Sequence, residues 1–399
     1  MVSVCFYFQV HQPERVRDYS VFEVGKSSDY FFSHKNREIL ERIAKKCYLP
    51  TNAIMLELLN KHAEFKVSYS FTGILLDQLE RFAPKVMQSF QKLADTGKVE
   101  ILDETYYHSL AFMYSKKEFT EQVRMHNRKI KSLFSQSPKV FRNTELTYNN
   151  GLAAEAEKMG YKAMLAEGAE RILGWRSPNF VYKPVSANIK LLLKNYRLSD
   201  DIAFRFSNHD WKEWPLTAEK FAGWVGKVNG NGNCVNLFMD YETFGEHQWP
   251  VTGIFNFLRA LPREILKHPD NDFKTPSETA KSYKASGEID VPEIISWADV
   301  ERDLSAWTGN RMQQAALQKI YEIEGQVKKS GSKKLLQDWR KLQASDHFYY
   351  MCTKWFNDGD VHKYFNPYDS PYDAFIAYMN ILGDIKLRLE KMRKASVAA

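Results

Sequence analysis

The sequence predicts an α/β protein whose parallel sheet closes on itself, followed by a helical C-terminal region. Three observations predict it. Apolar, strand-like runs recur seven times, at about 2–10, 65–71, 98–103, 139–143, 162–166, 200–206 and 234–240. Amphipathic stretches at 37–62, 74–95, 117–134, 151–159 and 186–195 lie between them, the alternation that builds a parallel sheet, with a barrel as its closed form at this length. From about 275 the strand-like runs stop and charged amphipathic runs at 297–328, 333–357 and 370–394 take over, which suits a three-helix bundle.

The first strand needs little inference. Val2-Ser3-Val4-Cys5-Phe6-Tyr7-Phe8 is β-branched and aromatic and reads as a buried parallel strand. It starts at once, with no basic leader or small-residue cleavage site, so the chain is expected to be cytoplasmic and soluble. Lys274-Thr275-Pro276-Ser277 marks the change of character, which divides the chain into 1–272 and 273–399. Later prolines fall in the breaks Asn366-Pro367 and Ser370-Pro371.

Composition narrows the function classes. A hydrophobic fraction of 44% over 399 residues is enough for a large core and argues against disorder. The net charge of +7 is modest, and Lys and Arg are dispersed with no recognition motif, so nucleic acid is not an expected partner. No apolar stretch approaches a membrane span. The four cysteines, Cys5, Cys47, Cys234 and Cys352, form no Cys-x-x-Cys pair and read as buried free thiols. Aromatics reach 14%; most belong in a bulky core, and a few exposed ones would suit stacking on sugar faces.

The acids sit where the strands end. Cys234-Val235-Asn236-Leu237-Phe238 runs into Met239-Asp240-Tyr241-Glu242-Thr243-Phe244-Gly245-Glu246-His247, which delivers three carboxylates within seven residues. A solvated acidic loop is the plain alternative. Lys139-Val140-Phe141-Arg142-Asn143-Thr144 ends likewise on Glu145, for which Arg142 could be a structural partner. Two strand-end carboxylates far apart in sequence are the pair a glycosidase uses, one as nucleophile and one as proton donor.

Five segments in order resemble conserved regions of glycoside hydrolase family 57, especially its α-amylase-like members. They are Gln9-Val10-His11-Gln12-Pro13, Glu104-Thr105-Tyr106-Tyr107-His108-Ser109, Phe141-Arg142-Asn143-Thr144-Glu145, Asp240 through His247, and Ser345-Asp346-His347-Phe348-Tyr349-Tyr350-Met351. The resemblance implies a (β/α)7 barrel, an incomplete TIM-like barrel, with a helical domain completing the cleft. It implies Glu145 as nucleophile and Asp240 as general acid/base of a retaining cleavage of α-1,4-glucosidic bonds, with an α-glucan as the partner and no cofactor. Glucan transfer by a 4-α-glucanotransferase, or branching, uses the same residues, and a non-catalytic glucan binder would share the scaffold.

Other motif residues are candidate sugar contacts: His11, Glu104, His108, Glu242 and His247 at strand ends, and Trp175 in the loop after the fifth strand. Asp303, Trp307, Asp346 and His347 qualify if the helical region walls the cleft. His11 could equally be a hydrogen-bonded supporting group, Glu242 structural, and His108 a core histidine. A metal reading is the rival, since seven-stranded barrels with histidines at their strand ends include polysaccharide deacetylases and α-mannosidases. The ten histidines here are dispersed, with no ligand pair near His11, so no metal is expected. No phosphate-binding glycine loop occurs either.

Overall fold

The computed structural model describes residues 1–354 and 365–398. The predicted run at 333–357 therefore extends at its end outside the described residues. The strands are β1 (Val2–Val10), β2 (Val67–Phe71), β3 (Val99–Ile101), β4 (Val140–Phe141) and β5 (Ala163–Glu167), then β6 (Val181–Pro184), β7 (Lys190–Lys194), β8 (Cys234–Asp240), β9 (Asn271–Phe273) and β10 (Glu288–Ile289).

β1 is buried along its whole length, as an unbroken apolar strand of a parallel sheet must be. It pairs in parallel with β2 on one side (Tyr7 beside Ser68) and with β8 on the other, where Gln9 stands beside Asp240. β3 extends the sheet beyond β2, and β9 pairs with the first three residues of β1. A second sheet runs β10-β6-β7-β5-β4, in which only the β6–β7 pairing is antiparallel.

Hydrogen bonds join the two sheets at two places. Asp103, just past β3, bridges Phe141 in parallel, with Arg142 N–H donating to the Asp103 carbonyl at 2.9 Å. Opposite, Asn195 N–H donates to the Asn236 carbonyl at 2.9 Å, and the Asn236 amide donates to the Leu193 carbonyl at 2.9 Å. Seven strands, β1–β5, β7 and β8, thus run in one sense, as does the short β9, and the C-terminal ends of the seven share one face of the molecule. The architecture is α/β with a large helical content.

One expected strand is displaced. The run at 200–206 is not a strand, because Tyr196–Ala203 is helical and capped by the Asn195 side chain, which accepts from Leu198 N–H at 3.1 Å. The strand is β7, inside the stretch read as helical at 186–195. Lys190-Leu191-Leu192-Leu193-Lys194 is a short apolar run between lysines, and periodicity alone cannot separate strand from helix there.

Residues 273–295 return to the sheets: Phe273 joins the core around β1, Ala280 the core between the sheets, and Ile289 and Ile295 the core beside β5 and β7. Helices Arg311–Glu322, Lys333–Lys341 and Pro371–Ala398 then enclose a separate core around Ile320, Trp339 and Ile381. Val16, Tyr19 and Tyr30, from the connection after β1, insert into that core. Tyr30 Oη and Gly25 N–H both donate to the buried Asp384 carboxylate at 2.5 Å. The connection after β1 is therefore bolted to the helical region by packing and by hydrogen bonds. All four cysteines are buried, and among the described residues none forms a disulfide.

Candidate active site

Glu145 follows β4 in a short 3-10 turn with φ 57°, and Leu146 and His108 also take positive φ, at 53° each. Non-glycine residues occupy that region at a cost, and such strain concentrates where geometry serves function. Both carboxylate oxygens of Glu145 are engaged. Oε1 accepts from Ser345 Oγ at 2.7 Å and lies 3.2 Å from His108 Nε2, while Oε2 accepts from Trp297 Nε1 at 3.1 Å. Burial alone would raise its pKa. The hydrogen bond and charge of His108, helped by Arg142, outweigh burial and hold Glu145 below the usual carboxylate range.

His108 is held from both ends, since its Nδ1 lies 3.1 Å from Glu104 Oε2. Burial lowers its pKa, but Glu104 and Glu145 together lift it to about 9, so it is an imidazolium at neutral pH. Glu104 is fully buried, accepts from Gln9 Nε2 at 3.0 Å and lies 3.8 Å from an Arg142 guanidinium nitrogen. Burial raises Glu104, and His108, Arg142 and His126 bring it down to about 2. Arg142, the suspected partner of Glu145, pairs instead with Glu104 and stacks over Trp297 at 4.8 Å.

Asp240, the last residue of β8, is open to solvent. The protein packed around it and then the charge of Glu145 push its pKa up to about 6, against the opposing pull of Arg142, His108 and Lys194. Glu242 is buried, accepts from Tyr48 Oη, and is pushed up to about 8 by burial and then by the charge of Asp240. Gly245, at φ 105°, is required where it stands: a Cβ there would lie 2.1 Å from the Lys46 carbonyl. The next residue, Glu246, meets Arg42 at 3.3 Å and Lys46 at 3.9 Å.

The other candidate contacts divide. His11 stacks on His108 with ring centroids 4.0 Å apart, and its two nitrogens meet Thr72 Oγ1 and Asp346 Oδ2, each at 2.8 Å. Asp346 is thereby brought to the site from the helical region. His347, one residue on, turns into the protein: it is buried, lies 3.2 Å from the Lys341 carbonyl, and is lowered to about 4 by burial. His247 is also lowered to about 4 by burial and neighbours Phe365 at 6.3 Å. Trp307 is buried in the helical core, Asp303 accepts from Ser305 N–H and Oγ, and Trp175 stands 92% exposed in its loop.

Two residues that touch the carboxylate were not among the sequence candidates, Trp297 and Ser345. Trp297 is steadied by Lys194 at 5.6 Å from its ring and by Arg302 NH1, which donates to its carbonyl at 2.6 Å. Lys194 and Arg302 also face Glu167 and Asp200, a buried charge cluster at the ends of β5 and β7. Among the described residues no three His, Cys, Asp or Glu side chains gather as a cation site, and no helix is long and apolar enough to cross a membrane.

Parallel strand ends from two joined sheets that carry one carboxyl pushed down and one pushed up are an arrangement suited to acid–base chemistry on a neutral substrate. Residues 5–292 match the family described as Glycosyl hydrolase family 57, and the chain belongs to that family; it is a glycoside hydrolase. It is 43% identical to a Methanocaldococcus jannaschii protein named "Putative alpha-amylase", over 98% of this chain and 85% of that one. Its fold is like that of the branching enzyme of Pyrococcus horikoshii (TM-score 0.70, 16% identity, 96% of this chain and 88% of that one). It is also like the 4-alpha-glucanotransferase of Thermococcus litoralis (TM-score 0.61, 17% identity), covering 96% of this chain but 59% of that longer one.

Proposed function

We propose that this glycoside hydrolase cleaves α-1,4-glucosidic bonds of starch, glycogen or maltooligosaccharides by double displacement, as an α-amylase. The observation that carries the reading is the divergence of two strand-end acids. Glu145 is held ionised by His108, with Ser345 and Trp297 as further donors, while Asp240 retains a proton to about pH 6. The relative in Methanocaldococcus jannaschii supports the choice of substrate.

In the first step a Glu145 oxygen attacks the anomeric carbon as Asp240 gives its proton to the departing glycosidic oxygen. Esterification removes the Glu145 charge. Burial still raises Asp240, but the Glu145 charge no longer does while Arg142 and His108 remain, so Asp240 ionises more readily and can take a proton from the incoming water. His108, hydrogen-bonded to the oxygen of Glu145 throughout, orients the nucleophile. Asp346, bonded to His11, brings an acceptor from the helical region to the mouth for sugar hydroxyls.

The seven parallel strands serve in this reading as the wall of an incomplete (β/α)7 barrel. Residues 1–272 form the catalytic unit, 273–295 the connection that packs back on it, and the helices beyond the wall of the cleft. The buried thiols Cys5, Cys47 and Cys234 suit a reducing compartment, and we place the enzyme in the cytoplasm.

Incubation with maltoheptaose, followed by chromatography of the products, tests the activity. Shorter sugars alone support hydrolysis. A ladder of shorter and longer sugars replaces it with glucan transfer, and an unchanged substrate leaves only a binder.

A further inference from the structure

On the same end of the molecule as Asp240 lies a second concavity, a groove of about 280 Å³. Its position follows from chain direction. Helix Ala218–Gly226 leads back to Cys234, beside Ser3 at the start of β1, and helix Ile254–Leu266 leads back to Asn271, beside Val2. Both helices therefore begin near the C-terminal ends of the strands, and the groove lies between their first turns.

Its chemistry is specific. The lining includes Phe206, Trp214, Leu216, Thr217, Asn256 and Phe257, and none of the lining side chains is charged. Trp214 is 40% exposed, and one face of its indole is covered by His209, stacked at 4.1 Å, which holds the ring while the tryptophan lines the groove. Exposed Asn256 offers an amide, and Thr217 and Thr252 offer hydroxyls. The volume is near the low end of the ~300–1,000 Å³ of small-ligand sites. An ordered aromatic platform with neutral polar groups suits a ring that has an apolar face and a hydroxyl edge. A phosphate or carboxylate would find no side-chain counter-charge there.

We propose that this groove is an accessory binding site for a segment of α-glucan chain, separate from the catalytic carboxylates. The identity of the sugar rests on the substrate reading above. A long chain held there is presented to the cleft at raised local concentration, whereas a chain too short to reach both places gains nothing.

The test uses two substitutions of the full chain. Trp214→Ala removes the platform, and Asn256→Arg places a bulky cation at an exposed helix position without disturbing the core. Affinity for amylopectin is read by electrophoretic retardation, and turnover is measured on amylopectin and on maltotriose. The expected result is roughly tenfold weaker amylopectin binding and a higher KM for amylopectin in both variants, with maltotriose turnover unchanged. Undiminished amylopectin affinity in both variants overturns the site. A dimer that Asn256→Arg splits would put a second copy in the groove and overturns it too. Amylopectin binding that both substitutions weaken, in a protein that turns over no glucan, upholds the groove and overturns the catalytic reading alone.

Discussion

His108 Nε2 stands 3.2 Å from Glu145 Oε1, and because His108 Nδ1 also faces Glu104, the imidazolium is anchored before it meets Glu145. Its backbone takes part as well, since Ser345 N–H donates to the His108 carbonyl at 2.8 Å while Ser345 Oγ donates to Glu145. One residue thus links the end of β3, Glu145 and the helical region.

His108→Gln keeps a donor and removes the charge. The acid limb of kcat/KM, which reports ionisation of Glu145, should move up by roughly 1–3 pH units, the effect of an opposite charge at such a distance. An acid limb that stays in place would assign His108 to sugar binding or to the core.

In the proposed mechanism the alkaline limb belongs to Asp240, which must hold its proton to assist departure. With its pKa pushed up to about 6, kcat/KM should fall as pH rises through about 6. In Asp240→Asn that limb should vanish from the residual activity, and turnover of natural glucans should drop about 10²–10⁴-fold. Aryl α-glucosides, whose leaving groups need little protonation, should be cleaved in the first step with a smaller loss. Azide should partly rescue Asp240→Ala and give the α-glycosyl azide.

Stability should follow the same pair of buried groups. Glu104 is depressed from 4.5 to about 2, so its contribution is complete above pH 4.5 and is lost as pH falls through about 2. His108 is raised from 6.5 to about 9, so its contribution is complete below pH 6.5 and is lost as pH rises through about 9. The share of thermal stability that His108→Gln removes should be level below pH 6.5 and decline as pH rises towards about 9. His108→Gln should flatten the alkaline decline, and an unchanged decline would locate the titration elsewhere.

The helical region has its own keystone. Trp339 is fully buried and donates from Nε1 to the Ile320 carbonyl at 2.7 Å. Trp339→Ala should cost ~3–5 kcal/mol, read as a lower urea midpoint. Since Ser345 and Asp346 come from this region, activity should fall with its unfolding.

The sequence made the strand-end acids legible because each lies at the end of its own apolar run, where local pattern suffices. β1 and β8 were read to within a residue for the same reason. β7 was missed because Asp201 through Phe206 alternates like a strand although it ends a helix at Ala203 and then turns, and three leucines between lysines suit either state. Trp297 and Ser345 were invisible as Glu145 contacts because they lie 152 and 200 residues further along the chain. No local pattern reports a contact of that range. Trp307 and His347 carried the right chemistry in the right segments, but packing turned both inward.

The most direct measurement of the central claim is to trap the intermediate. A 5-fluoro-α-glucosyl fluoride slows breakdown of the glycosyl ester more than its formation, so the labelled residue can be read by peptide mass spectrometry. The account predicts one glucosyl adduct, on Glu145. An adduct on Asp240, or no adduct from an enzyme whose first product is the β-anomer, would contradict it.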